Sequence, residues 1–191
     1  MESLLVPVGV VALAEMGDKT QLLAFVLAAR FKKPWPIVWG ILLATALNHG
    51  LAGALGAWLV DALDADVLRR ALGLSFLAMA VWVLIPDKLD ASPGAVVTKL
   101  GVFSTTLAAF FLAEMGDKTQ VATVALAAHY AAPLSVVIGT TVGMLLANVP
   151  VVFIGDRLAQ KLPMKWLRVI ASGIFLAMGL ATLLGALSTL S

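Results

Sequence analysis

Six apolar runs, at about 4–29, 35–60, 67–86, 101–129, 132–154 and 166–190, fill most of this 191-residue chain. A helix needs about 20 apolar residues to cross a hydrocarbon core about 30 Å thick, and every run meets that length. The runs are continuous rather than alternating, so they read as helices and not as the strands of an outer-membrane barrel. Composition points the same way. Hydrophobic residues make up 61% of the chain and charged residues 13%, against about 45–50% and about 25% in a soluble domain. The expected fold class is therefore all-α integral membrane, with six transmembrane helices. With no cysteine, disulfide frameworks and cysteine-ligated metal sites are excluded.

The breaks between runs, Arg30–Pro36, Asp61–Arg70, Asp87–Lys99, His129–Pro133 and Asp156–Lys165, carry most of the proline and most of the charge. One side of the membrane would hold Arg30, Lys32, Lys33, Lys88, Lys99, Arg157, Lys161, Lys165 and Arg168, and the other only Arg69 and Arg70. The positive-inside rule makes the first side cytoplasmic and both termini non-cytoplasmic. The same rule accounts for the net charge of +2 without a nucleic-acid partner. The first run opens on acidic Glu2 and contains charges, so it reads as a retained span rather than a cleaved signal peptide.

Residues 13–29, LAEMGDKTQLLAFVLAA, recur as 112–128, LAEMGDKTQVATVALAA, at an offset of 99. The same offset relates Leu68-Arg69 to Leu167-Arg168 and Phe76-Leu77-Ala78-Met79 to Phe175-Leu176-Ala177-Met178. The chain thus divides into two three-helix repeats, 1–92 and 93–191, joined around Ser92-Pro93-Gly94. Three spans per repeat is an odd number, so the second repeat enters the bilayer from the opposite face. Inverted repeats of this kind build secondary transporters, with sites near the midplane where the repeats meet.

Six ionisable residues interrupt the apolar runs: Glu15, Asp18 and Lys19 in the first, Glu114, Asp117 and Lys118 in the fourth. Facing lipid, six such residues would cost about 15–20 kcal/mol, so they must face one another, water or an ion. Glu15 and Asp18 are three residues apart, as are Glu114 and Asp117, so each pair shares one helix face. Gly17 and Gly116 sit inside each pair, where a loosened helix would free backbone carbonyls. Thr20, Gln21, Thr119 and Gln120 offer neutral oxygens beside them. Such hard donors suit Mg²⁺, Ca²⁺ or Mn²⁺. Four carboxylates and two ammoniums sum to −2, which one dication or two protons would neutralise. Competition of that kind is the physical basis of exchange.

Asn48 and Asn148 lie at similar depths of the second and fifth runs and offer amide oxygens or helix–helix hydrogen bonds. His49 and His129 read mainly as hydrogen-bonded packing residues, with a metal or proton role as the alternative for His49, and Met16 and Met115 read as packing. Pro150 marks a kink. Trp35, Trp39, Trp58 and Trp166 read as interfacial anchors. Gly50, Gly53, Gly56, Gly139 and Gly143 would allow close helix approach.

The doubled hexapeptide, Glu15-Met16-Gly17-Asp18-Lys19-Thr20 and Glu114-Met115-Gly116-Asp117-Lys118-Thr119, matches E-x-G-D-[KR]-[ST] at every defined position. In this the chain resembles the Golgi-type Ca²⁺/Mn²⁺–H⁺ exchanger family, which includes bacterial MneA-type manganese exporters. The resemblance implies a cation/proton antiporter, not an enzyme, moving Mn²⁺ or Ca²⁺ out of the cytoplasm. Glu15, Asp18, Glu114 and Asp117 would be its ion and proton site. It needs no cofactor beyond the transported ion. Without the additional amino-terminal segment common in eukaryotic relatives, a prokaryotic plasma membrane is expected, with a thylakoid or plastid-type membrane as the alternative, and dimerisation is compatible with the small span count. Three other readings compete: a membrane structural or assembly protein with a salt-bridged core, an intramembrane aspartyl hydrolase, and a passive channel. The hydrolase needs two carboxylates sharing a proton, which a lysine beside each aspartate fits poorly.

Overall fold

The structure, a computed structural model, describes residues 1–85, 101–154 and 164–185. Among these residues there are eight helices and no strands: α1 (Glu2–Glu15), α2 (Lys19–Phe31), α3 (Pro34–Ala62), α4 (Ala65–Trp82), α5 (Val102–Glu114), α6 (Lys118–Tyr130), α7 (Pro133–Ile154) and α8 (Met164–Leu183). The joining segment Ser92-Pro93-Gly94 and the basic residues Lys88, Lys99, Arg157 and Lys161 lie outside the described residues.

Among the described residues, three helices are long and apolar enough to cross a membrane: α3, α7 and α8 from Lys165 onward. The 29 residues of α3 reach about 43 Å at 1.5 Å per residue. The runs at 4–29 and 101–129 are not single helices. Each is divided by its repeated motif into two pieces of 13 or 14 residues, about 20 Å apiece. The connection after each pair is also repeated. Lys32 closes α2 in the left-handed region at φ 51 and Ala131 closes α6 at φ 47. Pro34 and Pro133 then begin the next helix, where a missing N–H is no loss.

Packing interleaves the two halves. α3 of the first half lies along α5 of the second, and in the counterpart contact α7 of the second lies along α1 of the first; α4 lies along α8. The α1–α7 crossing brings backbones together. A Cβ on Gly139 would sit 2.5 Å from the Leu4 carbonyl oxygen, and one on Gly143 would sit 2.6 Å from that of Val8. Gly50 makes no such approach, since nothing lies within 4 Å of its would-be Cβ.

Polarity runs inside out relative to a soluble protein. Leu43, Leu47, Leu51 and Leu55, one turn apart, form an exposed stripe on α3, while Thr45, Asn48 and His49 of the same helix are fully buried. The four tryptophans read as anchors are all exposed. Two apolar clusters hold the site in place. One gathers Val10, Phe76, Met79, Leu126 and Phe175; the other gathers Leu23, Ile37, Ile41, Phe110 and Val152.

Candidate ion-binding site

The chemistry begins with two backbone turns. α1 ends at Glu15, Met16 is extended at φ −63 and ψ 119, and Gly17 takes φ 78. Asp18 donates its N–H to the Glu15 carbonyl at 3.1 Å and opens α2 as its N-cap. Glu114, Met115 (φ −63, ψ 118), Gly116 (φ 76) and Asp117 repeat this, again with a 3.1 Å closing bond. These are the dihedrals of a type II turn, whose third position requires positive φ and therefore glycine. The two acids of each motif thus do not stack on one helix face. The glutamate stands at the C-terminal end of one half-helix and the aspartate at the N-terminal end of the next, because the turn separates them. The helix dipole favours the aspartate at its N-terminus and disfavours the bare glutamate carboxylate at a C-terminus, where a cation would be welcome.

A would-be Cβ on Gly116 meets nothing within 4 Å, so Gly116→Ala isolates the conformational cost. It is expected to destabilise the protein by about 1–2 kcal/mol, measured as denaturant unfolding in detergent, with no steric contribution.

Thr20 donates its hydroxyl to Glu15 Oε2 at 2.6 Å, and Thr119 donates to Glu114 Oε2 at 3.0 Å. Gln21 Oε1 accepts the Gly17 N–H at 2.9 Å and Gln120 Oε1 the Gly116 N–H at 2.7 Å. The neutral oxygens beside the acids are therefore engaged within the motif, where they brace the turn and aim the glutamates. Each glutamine also ties its turn to the opposite half: Gln21 donates to the Ala147 carbonyl at 2.9 Å, and Gln120 to Asn48 Oδ1 at 3.4 Å. Asn48 donates in turn to the Phe111 carbonyl at 3.1 Å. Asn148 bonds within α7, to the Met144 carbonyl and sulfur.

The lysines cross between halves. Lys118 Nζ lies 3.1 Å from Asp18 Oδ1, both side chains 1% exposed, and Lys19 Nζ lies 3.2 Å from Asp117 Oδ1, at 23% and 4%. Each ammonium thus offsets the aspartate of the other half. Neither of these pairs includes a glutamate, and Glu15 and Glu114 carry −2 when both are ionised. Glu15, Glu114 and Asp117, all buried, can each bring one oxygen within 4.8 Å of the others. Asp18 does not join this group. Oε1 of Glu15, Oε1 of Glu114 and Oδ2 of Asp117 are buried with no hydrogen-bond partner. Buried carboxylate oxygens in that condition are costly, and a coordinated cation is what would satisfy them.

His129 packs edge-on against Phe76 and Tyr130. His49 is fully buried, yet neither ring nitrogen has a hydrogen-bond partner, so it is not the bonded packing residue expected. Met115 is 54% exposed rather than packed. Pro150 lies within α7. Sequence reasoning missed one contact of the site: Arg168, counted only as a topological charge, donates from Nη2 to the Gly17 carbonyl at 3.0 Å. Its place at the 99-residue offset from Arg69 was the available signal.

Broken helices meeting at buried acids, inside an apolar all-helical chain, define an ion-handling membrane protein of the secondary-transporter kind. The chain belongs to the family described as "Divalent cation/proton antiporter GDT1", whose profile matches residues 3–91 and 102–190. It is 52% identical over 183 residues to a Vibrio cholerae protein named "Putative manganese exporter", covering 95% of this chain and 90% of the relative. A GDT1-like protein of Oryza sativa subsp. indica is 28% identical over 95% of this chain and 73% of its own length. One from Synechocystis is 27% identical over 79% and 84%. No solved structure matches. The family is one of transporters, not enzymes, which removes the hydrolase reading.

Proposed function

We propose that the chain is a secondary-active antiporter that exports Mn²⁺ from the cytoplasm in exchange for protons, by alternating access between two inverted three-helix repeats. Ca²⁺ is the alternative cargo. The observation that carries the reading is the convergence of Glu15 and Glu114, one from each half, with Asp117, in a buried group whose lysines are already committed to aspartates. An all-oxygen donor set suits Mn²⁺ and Ca²⁺ alike; the name of the Vibrio cholerae relative favours Mn²⁺. Two features support the inverted arrangement. The family matches lie 99 residues apart, and helix contacts recur under exchange of the halves, α1–α7 for α5–α3 and α2–α7 for α6–α3. Six spans then follow, with α1–α2 and α5–α6 each crossing as a broken helix and both termini on the non-cytoplasmic side of a plasma membrane.

Glu15, Asp18, Glu114 and Asp117 form the ion and proton site in this reading. The glutamates and Asp117 hold the cation, and Asp18 acts through Lys118. Lys19 and Lys118 hold the residual charge at −2, so that one dication or two protons restore neutrality. A salt-bridged core that only pins the halves together would account for the lysine–aspartate pairs, but not for the converging buried oxygens of Glu15, Glu114 and Asp117 that lack a hydrogen-bond partner.

In proteoliposomes, an imposed proton gradient is expected to drive Mn²⁺ flux in the opposite direction. Without the gradient, the apparent log affinity for Mn²⁺ should rise by about two for each unit of pH while the protons compete. Flux indifferent to the gradient would replace the antiporter by a channel or uniporter.

A further inference from the structure

The two motifs have the same sequence but stand in different surroundings. The first turn is half-buried at Met16 and Gly17, whereas the second is exposed at Met115 and Gly116. Helix packing follows the same division. α8 lies against α1, while the counterpart helix α4 packs on α6 and has no comparable contact with α5.

At the closed turn stands Arg168, near the start of α8, with its guanidinium on the Gly17 carbonyl at 3.0 Å. Its counterpart in the first half is Arg69, at the 99-residue offset. Arg69 does not take up the equivalent bond to Gly116. Its Nη2 is held 3.1 Å from Asp66 Oδ1, one turn earlier on its own helix, with both side chains exposed. The residue corresponding to Asp66 in the second half is Lys165. Arg168 therefore has a like charge three residues before it, where Arg69 has an acid.

We infer that Arg168 and Arg69 are the two latches of the transport cycle: each closes the access route over one motif turn by capping its glycine carbonyl, and only one is engaged at a time. This rests on the alternating-access reading above. The type II turn leaves the glycine carbonyl outside the helical ladder, open to a donor from a neighbouring helix. A guanidinium is suited to that task because it stays charged and offers several fixed donors. Exchanging the roles of the halves moves the bond from Arg168–Gly17 to Arg69–Gly116 and converts one open state into the other. The acid at 66 against the lysine at 165 sets the resting bias: Asp66 competes for Arg69, and nothing comparable on its own helix competes for Arg168. The Arg168-latched state, with the second turn open, is the favoured one.

The chain contains no cysteine, so single cysteines report access without background. Met16→Cys and Met115→Cys, each in the full-length protein in proteoliposomes, are labelled with a membrane-impermeant maleimide applied from either side. In the parent protein Met115→Cys should label faster than Met16→Cys. Adding Arg168→Gln should raise the Met16→Cys rate and lower the Met115→Cys rate, each about five- to tenfold, the span of a charge-assisted hydrogen bond partly screened by water. Asp66→Asn, by releasing Arg69, should shift both rates in the same directions. Arg168→Lys should restore part of the parent pattern. A merely structural arginine would raise both rates together or neither, and that outcome overturns the latch. Protection of Met115→Cys in the parent protein also overturns it. If neither parent rate responds to Mn²⁺ or to a proton gradient, alternating access itself fails. If they respond but Arg168→Gln and Asp66→Asn leave the partition unchanged, only the latch fails.

Discussion

Glu15→Gln is expected to weaken Mn²⁺ binding by more than about a hundredfold and to abolish proton-coupled flux, with insertion and folding preserved. Glutamine has nearly the volume of glutamate, and its carbonyl oxygen still accepts the Thr20 hydroxyl that sits 2.6 Å from Oε2. What changes is charge. The glutamate pair falls from −2 to −1, and one of the three converging oxygens becomes neutral. Changes in groups that only orient a metal ligand already cost about 10–100-fold, so loss of an anionic ligand should exceed that. Glu114→Gln should behave alike, because Thr119 and the second turn place it in the same way. The pH dependence supplies the sharper test. Removing one titrating carboxylate should reduce the slope of log affinity against pH from about two to about one. Equilibrium titration of purified protein with Mn²⁺ between pH 5.5 and 8, on the order of three to four pH values, measures both quantities. An unchanged slope of two in both variants would move proton binding off the glutamates and onto groups not assigned to it.

Much of this site was legible in the sequence because its constraint is chemical. Six ionisable residues inside apolar runs had no tolerable place except against one another, and the exact repetition of Glu-Met-Gly-Asp-Lys-Thr showed where that place was. The backbone was less legible. Hydropathy measures the length of an apolar run and is blind to a turn inside it, so 4–29 and 101–129 read as single helices although each contains a type II turn at Gly17 or Gly116. A glycine three residues after an alanine and one before an aspartate was the local signal. In an apolar run, however, glycine is as often a packing residue as a break, and Gly139 and Gly143 of α7 are of the packing kind. The pairing of charges could not be read at all. Lys19 is adjacent in sequence to Asp18, but its partner is Asp117, ninety-eight positions away. Only the interleaving of α1–α2 with α5–α6 decides that, and interleaving depends on tertiary packing that the intervals in the sequence do not encode.

That crossed pairing yields a second large effect. Lys118→Met is expected to destabilise the protein by about 3–5 kcal/mol, the usual consequence of removing one partner from a buried ion pair, since Lys118 and Asp18 are each 1% exposed. Lys19→Met should cost less, because Lys19 keeps contact with solvent at 23% exposure. Combining Lys118→Met with Asp18→Asn removes both charges and should recover most of the lost stability, as buried pairs replaced whole often do. Unfolding in detergent of the parent, both single variants and the double variant completes the cycle. The double variant also separates two roles for Asp18. With Lys118 and Asp18 both neutral, Glu15, Glu114, Asp117 and Lys19 still sum to −2, so Mn²⁺ affinity should stay within about threefold of the parent if Asp18 serves only to hold Lys118. A loss comparable to that of Glu15→Gln would instead make Asp18 a direct ligand, with the cation shared by all four motif acids and the Lys118 pair broken whenever the cation is bound.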